Sequence, residues 1–192
     1  MATTAAERLD AIAAVTARDR VLIARCRGAG ERMEHAGDKV AALAGAAGAL
    51  SAVGVRYALI GGVAVGIHSG VARATDDVDL ALHSTADRDA VIASLTSSGF
   101  RLVGVFPHSV NFRHASGEPV QLAVDPAFDA MIERAEPIGL GSLAVPLVKR
   151  ADLIAMKERA AADPQRRKSK RLRDQADVEL LRGDVPEPDE GW

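Results

Sequence analysis

One segment constrains the fold more than any other: a glycine pair, Gly61-Gly62, followed by the sequence Asp-Val-Asp-Leu at residues 77–80. An apolar run precedes the glycines, so the segment predicts a strand, a glycine turn, a helix, a loop and a second strand. Because side chains alternate along a strand, Asp77 and Asp79 are expected to project side by side, with Val78 facing the core. Adjacent carboxylates repel each other, and the usual reason to keep such a pair is a hard cation such as Mg²⁺, which takes oxygen ligands.

Composition limits the classes of protein that remain. The chain has 192 residues, enough for one domain with a real core and a small helical appendage. The single cysteine, Cys26, excludes an internal disulfide and suits a reducing cytoplasm. The N-terminus has no basic region typical of a secretory signal, and the apolar stretch 40–55 falls short of a spanning helix. We therefore expect a soluble cytoplasmic protein without a membrane partner.

The order of elements predicts an α/β (α+β) fold with a mixed sheet. Residues 5–53 lack proline and predict two or three helices, with a break at Gly28, Gly30 and Gly37. Further strands are predicted at 56–60, 77–82, 100–105, 110–114 and 120–125, with a strand-rich connector at 138–147; further helices are predicted at 85–97, 128–135, 151–161 and 168–181.

These elements suggest four regions along the chain. An N-terminal helical region, 1–54, precedes a core at 55–148, and C-terminal helices at 149–183 are followed by a flexible tail at 184–192. The strand that carries Asp79 is expected to pair with the later strand that ends at Asp125. That pairing would bring a third carboxylate beside Asp77 and Asp79.

This arrangement permits phosphoryl chemistry. A glycine turn that opens a helix leaves free N–H groups, which bind phosphate together with the helix dipole. Asp77 and Asp79 can hold Mg²⁺, and Asp125 can share a second ion and take the proton of an attacking hydroxyl. Two metal ions then stabilise both oxygens of an in-line displacement at phosphorus, as nucleotidyl transfer requires.

The motif order is similar to that of a known family. The glycine pair, a helix, Arg73-x-Thr75-x-Asp77-Val-Asp-Leu and a later strand Asp resemble the DNA polymerase β-like nucleotidyltransferase superfamily. Lys157, then Ala160 and the sequence Arg-Asp-x-x-Asp at 173–177, resemble the signature of AbiEii-type nucleotidyltransferase toxins, which are the toxin halves of abortive-infection and toxin–antitoxin pairs. The resemblance covers about residues 55–181 and implies a polymerase β-like core.

The resemblance also implies roles for particular residues. Gly61 and Gly62 would hold the triphosphate of an NTP, with Asp77, Asp79 and Asp125 as the metal-binding triad and Lys157 on the triphosphate. The remaining NTP-binding candidates would shape the same wall: Arg73, Thr75, Arg173, Asp174 and Asp177. Many members have Ser at the position of Gly62, so a hydroxyl contact to phosphate is missing here.

Several of these residues also have ordinary structural interpretations. An Asp-x-Asp alone is more often a loop cap, and Arg73 either pairs with Asp76 or contacts phosphate. Thr75 suits a turn or a strand start, and Asp174 and Asp177 can serve only to stabilise Arg173. The basic run 166–173 is usually a solvated face, and beside a nucleotidyltransferase site it can hold an RNA backbone.

We therefore expect a Mg²⁺-dependent nucleotidyltransferase that transfers a nucleotide from an NTP to RNA, such as a tRNA 3′ end, or to a protein hydroxyl. It would be the toxin of a toxin–antitoxin pair, with a cognate antitoxin as partner. The alternatives are a small-molecule adenylyltransferase that modifies an antibiotic, and a nucleotide-binding interaction protein that has lost turnover. The carboxylate set argues against the last of these, and the basic run favours RNA over a small molecule.

Overall fold

A computed structural model describes residues 3–26, 37–140 and 143–184 of the chain. These residues form a mixed α/β structure around one seven-stranded sheet. The strands are β1 (Tyr57–Ile60), β2 (Val78–Leu82), β3 (Arg101–Phe106), β4 (Ser109–Arg113), β5 (Pro119–Val124), β6 (Glu136–Leu140) and β7 (Leu143–Leu147). The helices are α1 (Ala5–Cys26), α2 (Lys39–Ala52), α3 (Gly61–Ser69), α4 (Arg88–Ser97), α5 (Asp129–Glu133), α6 (Arg150–Ala162) and α7 (Lys168–Arg182).

The sheet has the order β3-β4-β5-β2-β1-β7-β6 and is mixed, which confirms the predicted fold class. β2 pairs antiparallel with β1 and parallel with β5, as the expected partnership of the two motif strands requires. The connector predicted at 138–147 forms two antiparallel strands, β6 and β7, and β7 joins the sheet parallel to β1. The predicted break at Gly28 and Gly30 and the tail 185–192 lie outside the described residues.

The glycine turn after β1 forms because its first residue adopts a backbone conformation that side chains disfavour. Gly61 has a φ of 69°, in the left-handed region, and α3 begins there directly from the buried strand. All four residues of β1 are buried, and Val63, Val65 and Ile67 continue the core along α3. The N-terminus of α3 therefore stands at the end of β1, beside β2.

Local capping explains where two helices begin. The side chain of Asp38 accepts a hydrogen bond from the backbone N–H of Ala41 and caps the start of α2. The side chain of Asp87 accepts from the backbone N–H groups of Asp89 and Ala90 and caps the start of α4. The Asp87 cap is the reason that α4 begins three residues later than the helix predicted from Thr85.

None of the described helices combines the length and apolar character needed to cross a bilayer.

Candidate active site

A polar cavity of about 260 Å³ opens where β2, α3, α6 and α7 meet. The loop between α3 and β2 forms one side, and the basic residues of α7 and of the segment before it form the other. It is lined by residues that the motifs single out and by several that they do not: Gly62, Arg73, Thr75, Asp76, Asp77, Asp79, Gln121, Lys157, Arg166, Lys170, Arg173 and Asp174.

Asp77 and Asp79 both face this cavity, as the strand alternation predicts. Their neighbours Val78 and Leu80 are fully buried in the core on the other face of β2. Burial, and next the nearby charge of Asp77, raise the pKa of Asp79 to about 7. Burial also raises the pKa of Asp77. Within the described residues, neither carboxylate forms an ion pair, so the charge of the pair lacks a direct protein counter-ion.

Neighbouring side chains leave no room for a Cβ at either glycine of the turn. A Cβ at Gly61 would collide with the carboxylate of Asp79, and a Cβ at Gly62 would collide with the hydroxyl group of Thr75. Thr75 is buried and lines the cavity, and its backbone N–H donates to Thr16 of α1 at 3.2 Å. The turn thus packs the N-terminus of α3 directly against Asp79 and Thr75, at a separation that only glycine allows.

The expectation that Asp125 lies beside Asp77 and Asp79 is wrong. The parallel register of β2 and β5 places Gln121 opposite Asp79, and Val124 opposite Leu82. Asp125 follows four residues after Gln121, so it lies about 13 Å along the strand at roughly 3.3 Å per residue. Its carboxylate instead caps the 3-10 turn Pro126–Phe128, accepting from the backbone N–H of Ala127 at 2.9 Å.

A second cavity, of about 510 Å³, connects the two positions. Asp79 and Gln121 line both cavities, whereas Asp125 lines only the second. Apolar side chains contribute to the second cavity, among them Phe128 and Met156. Asp125 therefore lies on the same open side of the sheet as Asp79, at a distance that prevents the two from sharing one ion.

Lys157 is held between two buried carboxylates. Its Nζ lies 2.9 Å from Asp174 Oδ1 and 2.8 Å from Asp177 Oδ2, and both carboxylates come from one face of α7, as their i, i+3 spacing predicts. Arg73 also pairs with Asp177, at 2.9 Å, and Arg166 lies 3.0 Å from Asp174. Three cations thus surround two carboxylates on the wall of the cavity.

Two alternative pairings predicted from the sequence are wrong. Arg73 pairs with Asp177 and not with Asp76, and Asp174 and Asp177 hold Lys157 and not Arg173. Arg173 instead lies 3.8 Å from Asp76, where both side chains are exposed. The buried carboxylates of α7 are therefore structural partners of the motif lysine.

Gln121, Lys170 and Arg166 line the cavity but are absent from the residues predicted to bind NTP or metal. The basic run offered a signal for Lys170 and Arg166, because helical spacing places Lys170 one turn from Asp174. No comparable signal in the sequence indicates Gln121, since its position beside Asp79 depends on the register of β2 and β5. In the part of the chain that the structure describes, Lys170 has no ion-pair partner.

The residues present fit one divalent cation better than two. Two oxygen donors with raised pKa values face a cavity without forming ion pairs, which suits a hard cation. Gln121 can add an amide oxygen beside them. Among the described residues, no three His, Cys, Asp or Glu side chains are arranged to hold a metal ion. The remaining coordination positions would then be filled by water or by oxygens of a substrate.

The raised pKa of Asp79 predicts an unusual pH dependence of stability. The folded protein holds this proton up to a pH of about 7, whereas the unfolded chain releases it near the ordinary value of 3.8. The free energy of unfolding, measured with urea in EDTA, should therefore decrease as the pH rises from about 4 to about 7. Replacing Asp79 by Asn should flatten this decrease, and equal slopes for the two proteins would contradict the assignment.

Comparisons with known proteins agree with this geometry. The sequence profile of the family described as "Nucleotidyl transferase AbiEii toxin, Type IV TA system" matches residues 46–190. No curated protein sequence matches the chain significantly.

Solved structures share the fold at low sequence identity. An antigenic nucleotidyltransferase-like protein from Paracoccidioides brasiliensis has a TM-score of 0.55 at 24% identity, over 79% of this chain and 78% of that one. ANT(2″)-Ia in complex with adenylyl-2″-tobramycin has a TM-score of 0.53 at 16% identity, over 77% and 89%. JHP933 from Helicobacter pylori has a TM-score of 0.51 at 14% identity, over 76% and 66%. The nucleotidyltransferase fold and the profile match over most of the sequence agree, and the chain belongs to the AbiEii nucleotidyl transferase toxin family.

Proposed function

We propose that the protein is a Mg²⁺-dependent nucleotidyltransferase that transfers a nucleotide from an NTP to RNA, such as a tRNA 3′ end, or to a protein hydroxyl. The observation that carries this proposal is the pair Asp77 and Asp79, which faces a cation-lined cavity at the N-terminus of α3 without forming ion pairs. Membership of a toxin family supports a cytoplasmic toxin with a cognate antitoxin.

The cavity walls suit a triphosphate. Lys170 and Arg173 are exposed at its edge, and Arg166 reaches it from the segment before α7. The first turn of α3 reaches the cavity at Gly62, and the backbone N–H groups and the helix dipole at this end favour an anion. Lys157 faces the same space, and its carboxylate partners hold its amine in place until phosphate oxygens compete for it.

Asp77 and Asp79 would hold Mg²⁺, with Gln121 beside them. The cation would neutralise the charge that develops on the phosphate oxygens of the NTP. Because Asp125 lies too far along β5 to complete a protein triad, we propose that phosphate oxygens of the substrate fill the remaining coordination positions. Nucleotide binding and metal binding should then strengthen each other.

The acceptor is proposed from the exposed basic residues next to the cavity. Arg167 and Lys168 begin α7 and are exposed, and no ion pair joins either of them to another described residue. Free cations beside a nucleotidyltransferase site are suited to the phosphates of an RNA backbone. The test is incubation of the protein with labelled NTPs, Mg²⁺ and total cellular RNA. Labelled RNA supports this acceptor, labelled protein supports a protein hydroxyl, and no labelled product of either kind contradicts both.

A small-molecule acceptor is the second candidate, and the second cavity favours it. Its volume of about 510 Å³ lies within the usual range for small-molecule sites, and Phe128 and Met156 supply apolar surface. ANT(2″)-Ia, which shares the fold, was solved with adenylyl-2″-tobramycin. Incubation with ATP and tobramycin tests this candidate by mass spectrometry, and an adenylylated antibiotic in the absence of labelled RNA would favour it over RNA.

If RNA is the acceptor, replacing Arg167 and Lys168 by Ser should weaken RNA binding and reduce its dependence on salt. For every phosphate that these side chains neutralise in the wild type, the slope of log affinity against log salt should be lower in the variant by roughly 0.7 to 0.9. Arg166 is left intact because it pairs with Asp174 at the cavity. The control replaces Arg25 and Arg101, which are exposed on other elements, by Ser. A slope equal in all three proteins would exclude Arg167 and Lys168 from the RNA-binding surface.

A further inference from the structure

The three residues that lead into β2 are held by side chains from the N-terminal helices. Thr16 of α1 accepts from the backbone N–H of Thr75 at 3.2 Å. Arg20, one turn later on the same face of α1, donates to the carbonyl oxygen of Asp76 at 2.8 Å. Lys39, the first residue of α2, lies 3.5 Å from the carbonyl oxygen of Asp77.

Each of these contacts reaches the backbone and not the side chain. The side chains of Thr75, Asp76 and Asp77 therefore line the cavity while their main chain is fixed by the N-terminal helices. A loop that carries a metal ligand gains most from this kind of support, because the ligand then needs no further ordering when the cation binds.

One fully buried carboxylate ties the supporting cations together. Glu118, immediately before β5, accepts from Arg20 Nη1 at 2.8 Å and also forms an ion pair with the amine of Lys39. Lys39 and Glu118 are almost completely buried. Because β5 pairs with β2, the same carboxylate connects both helices to the strand next to the metal-binding candidates.

We propose that Thr16, Arg20, Lys39 and Glu118 form a buried clamp that positions Asp77 for the cation. This inference rests on the proposed function, and it gives the N-terminal helices a role in the site. Three of the four residues precede position 46, where the family match begins. The clamp residues act through the backbone of the loop, so they are positioning residues and not ligands.

A purely structural role of the four residues predicts a different effect on cation affinity than a positioning role does. If the four residues only attach α1 and α2 to the sheet, their loss lowers stability and leaves cation affinity unchanged. Electrostatics predicts the opposite direction from positioning. Arg20 donates to the carbonyl oxygen of Asp76, next to the candidate ligand Asp77, so removing its positive charge should favour a cation there. A decrease of affinity in a charge-removing variant is therefore specific to positioning.

The experiment measures Mn²⁺ binding to the full chain by EPR, without nucleotide, for Arg20→Met, Arg20→Lys and the control Arg18→Met. Arg18 lies on the same helix, is exposed and pairs only with its neighbour Asp19 among the described residues. We expect Arg20→Met to weaken Mn²⁺ binding by about 10-fold or more, in the range typical for groups that orient metal ligands. The Mn²⁺ affinity of Arg20→Lys should lie between those of the wild type and Arg20→Met, because lysine keeps the positive charge but lacks the planar guanidinium group.

Two further variants keep the test decisive. Thr16→Val removes the acceptor for the Thr75 N–H at nearly constant volume, and Thr16→Ser retains it, so Val should weaken Mn²⁺ binding and Ser should not. Asp79→Asn removes a proposed ligand, so it shows how far Mn²⁺ binding falls when the site itself is lost. If Asp79→Asn binds Mn²⁺ as the wild type does, the proposed function fails and the clamp with it. If Asp79→Asn loses binding while Arg20→Met and Thr16→Val stay within about twofold of the wild type, below the effect typical of groups that orient metal ligands, only the clamp is overturned.

Discussion

Replacing Asp79 by Asn should abolish nucleotide transfer and, in the absence of metal, leave the protein as stable as the wild type or more stable. The carboxylate is adjacent to Asp77, and burial together with this neighbour raises its pKa to about 7. A neutral amide of similar shape removes both the desolvation cost and the repulsion. At about 1.4 kcal/mol per pKa unit, the gain at pH 8 is on the order of a few kcal/mol.

Magnesium should reverse the order of stability. The wild type should gain stability as Mg²⁺ is added, because a ligand that binds only the native state stabilises it, whereas Asp79→Asn should gain little. Thermal unfolding in EDTA and in Mg²⁺ measures both effects. Asp125→Asn is the matched control, and it should keep the Mg²⁺-dependent gain because Asp125 is not next to Asp79. Equal gains in the wild type and Asp79→Asn would exclude Asp79 as a ligand.

The parts of the site that could be predicted from the sequence depend on local rules. The period of two along β2 places Asp77 and Asp79 on one face, and the i, i+3 spacing on α7 places Asp174 and Asp177 together. The glycine pair predicted a turn into a helix, and Gly61 has the positive φ that such a turn needs. Each of these inferences involves residues within one element or one turn.

The errors arose where residues distant in sequence meet. The sequence predicts that β2 pairs with β5 but does not specify the register, and a shift of four residues exchanges Asp125 for Gln121 beside Asp79. Register depends on how the whole sheet buries its apolar face, which no single strand specifies. The partners of Arg73 and Lys157 likewise depend on how α6 and α7 pack, so pairings judged from neighbours along the chain were wrong.

The clamp illustrates the same limit. Arg20 and Glu118 lie 98 positions apart, and Lys39 and Glu118 lie 79 apart, so no motif or period relates them. Lysine and glutamate are residues expected at the surface, and a sequence alone gives no reason to bury them together. Their burial is evident only once α1 and α2 are packed against the sheet.

Glu118→Gln should be the most destabilising conservative substitution among the ion pairs of the described residues. The amide leaves Lys39, which is 2% exposed, without a counter-charge and weakens the anchor of Arg20. Removing one partner of a buried ion pair typically costs about 3–5 kcal/mol, because the other charge stays buried and unpaired. Urea unfolding at neutral pH measures the loss.

The control is another Glu→Gln change at an exposed pair. Glu158 pairs with Arg182, and both side chains are about half exposed, so Glu158→Gln should cost less than about 1 kcal/mol. A comparable small loss for Glu118→Gln would contradict the assignment of a buried, functional counter-charge.

A double variant separates the cost of an unpaired charge from the value of the pair itself. Lys39→Met with Glu118→Gln removes both charges, keeps a long side chain at position 39 and leaves Arg20 with the carbonyl oxygen of Asp76. Because neutral replacements of a buried pair are often tolerated, most of the stability lost in Glu118→Gln should return. The Mn²⁺ affinity of the double variant should stay below that of the wild type, since methionine at position 39 cannot donate to the backbone of Asp77 as Lys39 does. If the double variant has both the stability and the Mn²⁺ affinity of the wild type, the ion pair serves stability alone. If it has the stability but a lower Mn²⁺ affinity, the pair has separate roles in stability and in cation binding.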